Sequence, residues 1–211
     1  MHQELITKYQ KLKDENLSID ITRGKPDTEQ LDLSNELINI SIPSITEDGV
    51  DLRNYGEPLG LIEARSLGSD LLGAPVENII TGEQSSLLLS YQVMLSHYLF
   101  GSKKAWKNIN SPKFICPVPG FDRHFRMFED LGIEMITIPL VDDGVCIESL
   151  TEVLQNETDV VGMICVPRHS NPSGEVYSDN NILEIFEVSK NYSEAPPKIK
   201  EMIENIRRPD Q

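Results

Sequence analysis

The chain has 211 residues, 39% of them hydrophobic, with 34 acidic and 19 basic side chains and a formal net charge of -15. That length suits one or two domains with a real core, while the acidity argues against nucleic acid or an anionic membrane as partner. No run approaches the roughly 18 apolar residues of a membrane span, and the charged residues 1–16 do not resemble a signal peptide.

Residues 1–16 predict an amphipathic helix with Leu5, Tyr9 and Leu12 on one face. An extended polar arm follows, DITRGKPDTEQLDLS, through which Gly24 and Pro26 exclude a helix. A second helix is expected from about Gly60 to Leu72, stopped by Gly73 and Pro75. A strand–helix rhythm then begins. The strand NIITG leads to a helix from about Ser85 to Phe100, and KFICPV leads to one from about Asp122 to Leu131. EMITIPL precedes a helix around Ile147 to Leu154, and VVGMICV precedes a helix from about Asp179 to Lys190. The three cysteines, Cys116, Cys146 and Cys165, are widely spaced and lack metal-type pairing. They read as reduced thiols of a cytoplasmic protein, two of them inside strands.

Strands apolar throughout and alternating with helices imply a mainly parallel sheet covered on both faces, a three-layer α/β/α architecture. Ligands in such folds sit beyond the carboxyl ends of the strands, where loops run into helix N-termini. Three loops therefore matter. In TGEQSS, residues 82–86 offer backbone N–H groups and two hydroxyls suited to a phosphate, or an ordinary helix cap at Ser85. In CPVPGFDRH, the Phe121 ring can lie on a planar ligand or simply be buried. In VPRHSNPSG, Pro172 restrains Asn171 toward extended geometry, leaving its amide as a donor to a ligand oxygen or as a turn residue. The RGKP segment lacks the glycine loop and the Ser/Thr of a nucleotide-binding P-loop.

The strings ITRGKPDTEQLDLS, RNYGEPLGLIEARSL, CPVPGFDRHFRMFEDLGIEMI and VPRHSNPSGEVYSD together resemble the fold-type I, pyridoxal-phosphate-dependent aminotransferases of the aspartate aminotransferase superfamily. The likeness is to a bacterial group with the running pattern RGKP, RNYG, PVPGYDRH and NPTG, and it covers Tyr9 to about Tyr192. The resemblance implies three segments: a helix and arm over 1–50 belonging to a small domain, a partial cofactor-binding large domain over 51–192, and a divergent tail over 193–211. It implies amino transfer between an amino acid, aspartate-like, and a 2-oxo acid. It also implies a homodimer. By the same resemblance Glu83, Gln84, Ser85 and Ser86 hold the cofactor phosphate, Phe121 stacks on the pyridine ring and Asn171 bonds its 3-oxygen. Tyr55 reaches the phosphate of the neighbouring subunit's cofactor, and Gly24 lies over the substrate.

Two parts of the family's chemistry do not appear. Pyridoxal chemistry needs a lysine for the Schiff base and a carboxylate beside the pyridine nitrogen, carried in this family by SxSK and DxAY motifs. Neither string occurs in the 211 residues. Lys190 falls at the end of a helix on the wrong element. Lys198 and Lys200 read as the solvated face of a short helix after Pro196-Pro197, and Glu201 and Glu204 have no strand to place them. Within the retained loops, Glu83 replaces a glycine, Gln84 an asparagine and Ser173 a threonine, while Pro58 enters the YGG turn. On this reading the chain is truncated after NPSG, has no catalytic residue of its own, and binds the cofactor weakly or not at all. The alternative is a non-catalytic remnant or interaction protein that pairs with a full-length paralogue. Strand VVGMICV is then an exposed apolar edge, partly covered by Ile199, Ile203 and Ile206 of the tail.

Overall fold

The structure is a computed structural model that describes residues 2–19, 24–82, 84–190 and 192. Two compact units emerge, Met1–Ile45 and Thr46–Gln211. In the first, helix α1 (His2–Asp14) buries nothing, and its Leu5, Tyr9 and Leu12 are all exposed. The stretch expected to be extended contains a short helix, α2 (Thr28–Asp32), and a 3-10 turn at Asn35–Asn39. The reason is local. Gly24 and Pro26 lie ahead of the helix, and Asp27 caps it reciprocally with Gln30, whose side chain accepts from the Asp27 N–H at 2.8 Å.

The second unit begins with α3 (Ile62–Leu72), which ends where Gly73 turns left-handed at φ 64° and donates to the Ser69 carbonyl. Next come α4 (Ser86–Leu99), β1 (Lys113–Val118), α5 (Asp122–Asp130), β2 (Glu134–Val141), β3 (Gly144–Val145), α6 (Ile147–Asn156), β4 (Val160–Met163) and α7 (Asp179–Lys190). The sheet runs β3-β2-β1-β4, parallel except for the β2–β3 hairpin. The α/β class with a mainly parallel sheet is therefore present.

Side-chain alternation along β1 builds the two inner layers. Phe114 and Cys116 face a core completed by Met94 of α4 and by Met127 and Phe128 of α5, with Phe114 stacked on Phe128 at 4.3 Å between ring centres. Ile115 faces the other core, shared with Ile138, Val145, Leu150, Val160 and Tyr177, over which α6 and α7 pack. Gly162 of β4 is required by this packing, because a Cβ there would lie 2.4 Å from the Phe114 ring.

Three further details differ from the sequence-based expectation. NIITG forms no strand: a 3-10 turn occupies Val76–Asn78, and the extended residues after it have no ladder partner among the described residues. Ile79 is nonetheless buried and Ile80 exposed, so the alternation is strand-like without the pairing that defines a strand. Strand β4 stops at Met163, which leaves Cys165 in an exposed loop and only Cys116 inside a strand. The hairpin to β3 was missed. Its outer edge is closed by Asn181 of α7, whose amide accepts from the Val145 N–H at 2.9 Å and donates to the Val145 carbonyl at 2.8 Å. A side-chain amide thus stands where a neighbouring strand would be. The tail helix expected over 197–208 lies outside the described residues.

Candidate functional site

Strands β1 and β4 are parallel neighbours, so their carboxyl ends open on the same side of the sheet. The Ile164 N–H still reaches the Ile115 carbonyl at 3.1 Å before the chain leaves the sheet. From there the loop to α7 is folded on itself. Ser170 is buried and donates to the Glu175 carbonyl at 3.0 Å, and the Tyr177 N–H returns to the Pro167 carbonyl at 2.9 Å. The Ser178 N–H is held by the Asp143 carbonyl at 2.8 Å. Asn171 sits at the exposed tip of this braced loop, in a cis peptide bond to Pro172, with Gly174 at φ 85° closing the turn.

The β1–α5 loop is equally constrained. A cis Val118–Pro119 bond precedes Gly120, where a Cβ would approach the Phe125 ring to 2.6 Å and the Pro117 carbonyl to 2.8 Å. Phe121 then begins α5 half-buried, with His124 packed edge-on against it at 5.2 Å. A small cavity joins the two loops, lined among others by Phe121, His124, Ile164, Ser170 and Tyr177. Burial lowers the pKa of the His124 imidazole below its usual 6.5. His124 and Ser170 were not singled out from sequence. For His124 the signal was available, three residues after Phe121 on the same helix face.

The third loop enters α4. Ser85 is its N-cap, extended at φ -116° and ψ 109°, and its hydroxyl accepts from the Leu88 N–H at 3.3 Å. The first-turn N–H groups of Ser86 and Leu87 have no partner within the helix ladder and point along the positive end of the helix dipole. Leu87 packs on the core that α5 completes, which ties this helix start to the β1–α5 side of the site. Gly60, at φ 89°, brings the preceding segment against the strand-like residues, since a Cβ there would fall 1.8 Å from the Thr81 hydroxyl. The Thr81 N–H reaches the Leu59 carbonyl at 3.0 Å.

Of the residues singled out from sequence, Phe121 and the loop bearing Asn171 share one cavity, and Ser85 and Ser86 form a capped helix start with donors to spare. Gln84 is exposed beside them. Tyr55 is 95% exposed and has no described side-chain partner within the chain. Gly24 belongs to the other unit, with open space where a Cβ would be. Glu83 lies outside the described residues, as do Lys198, Lys200, Glu201 and Glu204. Lys190 pairs with Glu187 on the surface of α7. Lys113, at the amino end of β1, pairs with Glu157, which raises its pKa. No lysine lines the cavity beside Phe121, and among the described residues no group of His, Cys, Asp and Glu could hold a metal ion. No described helix is long and apolar enough to cross a membrane.

These features suit a phosphorylated aromatic cofactor: free N–H groups at a helix start for the phosphate, a half-buried ring for its face and an exposed amide for a ring oxygen. The profile of the aspartate amino-transferase family matches residues 1–197. An aspartate aminotransferase of Corynebacterium glutamicum is 42% identical over 180 residues, 82% of this chain and 41% of that protein. The crystal structure of an aminotransferase from Corynebacterium diphtheriae superposes with a TM-score of 0.81 at 38% identity, covering 92% of this chain and 48% of the other. The fold is shared further with the alpha-aminoadipate aminotransferase of Thermus thermophilus, solved with N-(5'-phosphopyridoxyl)-L-leucine, at 19% identity and a TM-score of 0.51 over 65% of this chain and 32% of the other. The chain spans less than half the length of these relatives.

Proposed function

Because the chain belongs to the aspartate amino-transferase family, we propose that it carries the cofactor-contacting half of a pyridoxal-phosphate-dependent aminotransferase site. Its substrates are an amino acid of aspartate type and a 2-oxo acid. The observation that supports this most is the convergence of the Phe121 and Asn171 loops on one cavity at the carboxyl ends of β1 and β4. When bound, pyridoxal phosphate supplies an electron sink for the substrate's alpha carbon.

Each retained residue has a defined task. The Ser86 and Leu87 N–H groups, with the Ser85 and Ser86 hydroxyls and the Gln84 backbone, hold the phosphate dianion by charge-assisted bonds. Glu83 precedes them in the sequence, and its carboxylate charge opposes a bound dianion. Phe121 covers one face of the pyridine ring and excludes water from it, while the edge-on contact of His124 fixes the Phe121 rotamer. The Asn171 amide donates to the 3-oxygen and sets the in-plane orientation. Tyr55, almost wholly exposed, is free to reach a phosphate in a partner subunit of a homodimer. Gly24 leaves room for a substrate to approach. No lysine and no carboxylate is among the residues lining this cavity, so neither a Schiff-base amine nor a partner for the pyridine nitrogen comes from them.

A second reading rests on that last observation: the chain is a non-catalytic family member that pairs with a full-length paralogue. Titration with pyridoxal phosphate, followed by absorbance before and after borohydride, tests both. The first reading requires saturable noncovalent binding that Asn171→Ala weakens. Binding unaffected by Asn171→Ala and by Phe121→Ala would overturn the proposed site. Reduction fixing a pyridoxyl group on one specific lysine would overturn the assignment of no catalytic lysine to these residues.

A further inference from the structure

We propose that Arg65 of α3 is a positioning residue for the phosphate-binding loop, acting through segment 76–81, which carries the chain toward α4. This role rests on the reading of residues 84–87 as a phosphate site. It adds to that reading the side chain that holds the approach to the loop in place.

The segment needs such a brace. It has no ladder partner among the described residues, yet Ile79 is buried, so its carbonyl requires a donor from elsewhere. Arg65 is that donor. Its Nε donates to the Ile79 carbonyl and a terminal guanidinium nitrogen to the Val76 carbonyl, both at 2.9 Å. The planar fork thereby clamps both ends of the Val76–Asn78 turn. Gly68 lies one turn further along the same helix face, and a Cβ there would come 2.9 Å from the Ile79 side chain. The close approach of α3 at that point keeps the fork within reach. Beyond Ile79 the Thr81 N–H is held by the Leu59 carbonyl at 3.0 Å, and a Cβ on Gly82 would meet Leu89 of α4 at 3.1 Å. Ser85, the N-cap of α4, follows at once. The charge of the fork matters as well. Among the described residues no carboxylate pairs with Arg65, so in a chain of net charge -15 an unneutralised cation stands on the segment that leads to an anion site.

Pyridoxine 5'-phosphate and pyridoxine, which lack the aldehyde and form no imine with surface lysines, separate phosphate binding from ring binding. The experiment titrates both, by ligand-detected NMR, into the full chain, Arg65→Lys and Arg65→Met. Amide hydrogen exchange is followed in the same three proteins without ligand, at Thr81 and at Leu88 and Leu89, whose N–H groups bond to Leu59 and to Ser85. Positioning predicts about tenfold weaker binding of the phosphate ester in both variants, with pyridoxine binding unchanged. Exchange at the three amides should quicken about fivefold or more, while Ile115 and Cys116 in β1 keep the parent rate. Lysine keeps the charge but presents its donors from one nitrogen, so it cannot restore the clamp. Equal losses for the two ligands, parent exchange rates in both variants, or full rescue by lysine would each overturn the proposal. A parent that shows no preference for ester over alcohol sinks the phosphate reading, and this role with it. A preference that survives both substitutions leaves the reading standing and refutes Arg65 alone. Should neither variant fold, exchange of the Arg65 Nε–H in the unsubstituted chain decides. Saturating pyridoxine 5'-phosphate must slow it about threefold or more, and pyridoxine must not; an unchanged rate refutes the role.

Discussion

Replacing Asn181 with alanine removes two hydrogen bonds at once and leaves both of their backbone partners in the dark. Val145 is 0% exposed and Asn181 3%, so water cannot replace the amide without opening the structure. Each buried group left unsatisfied costs about 1–3 kcal/mol, giving about 2–6 kcal/mol for the Val145 N–H and carbonyl together. Domains are stable by about 5–15 kcal/mol, so this is a large share. At this chain length the loss corresponds to a fall in Tm of about 8–16 °C for a mid-range cost of ~4 kcal/mol. Asn181→Asp is the sharper probe: it can still accept from the Val145 N–H but sets a carboxylate oxygen against the Val145 carbonyl, and it should destabilise at least as much. Calorimetry and urea unfolding measure both. The same substitutions should weaken cofactor binding, because α7 starts at the end of the braced Asn171 loop, with Ser178 held by Asp143. If both variants melt within a degree or two of the parent, the Asn181 amide is not satisfying buried groups and the edge-closing role is wrong.

Four further outcomes are expected. Burial depresses the His124 pKa, so its contribution to stability is complete above the unfolded value of 6.5 and is lost as pH falls through the lower folded value; thermal melts on acidification should show a drop that His124→Asn reduces. Cys116, wholly buried with its thiol pushed up to about 12, should be alkylated only through unfolding, and a labelling rate matching that of an exposed thiol would contradict this. Phe128→Ala, which removes a fully buried ring stacked on Phe114, should cost about 3–5 kcal/mol in urea unfolding. Noncovalent pyridoxal phosphate binding should have a Kd around millimolar, about -4 kcal/mol, and Glu83→Gly should tighten it in calorimetry; no change on removing that carboxylate would mean the loop does not hold the phosphate.

The alternating apolar runs made the layered fold readable, because residues 114–118 are apolar on both sides and only a doubly covered strand tolerates that. NIITG carries the same local signature yet forms no strand, since a ladder needs a partner that no local pattern guarantees. The short helix at Thr28–Asp32 had a legible signal in Asp27 and Gln30, overshadowed by the glycine and proline before it. Asp142-Asp143-Gly144 likewise marks a hairpin. Asn181 had no such signal: its partner is 36 residues earlier, and only the assembled sheet brings them together. At the site, chemistry was legible in residue types at strand ends, whereas the His124 brace and the buried Ser170 depend on how two loops meet.

The unequal edges of the sheet also govern how copies of this chain can stick together. At one edge, β3 is only two residues long and both Val145 backbone groups are taken by the Asn181 amide, which closes that side to a further strand. Among the described residues only β4 offers an open row. Contact between sheets is then limited to β4 against β4, a twofold arrangement in which each molecule uses its one open edge on the other. Among the described strands a third molecule finds no further open edge, so pairing through these edges ends in a closed pair and not in a growing fibre.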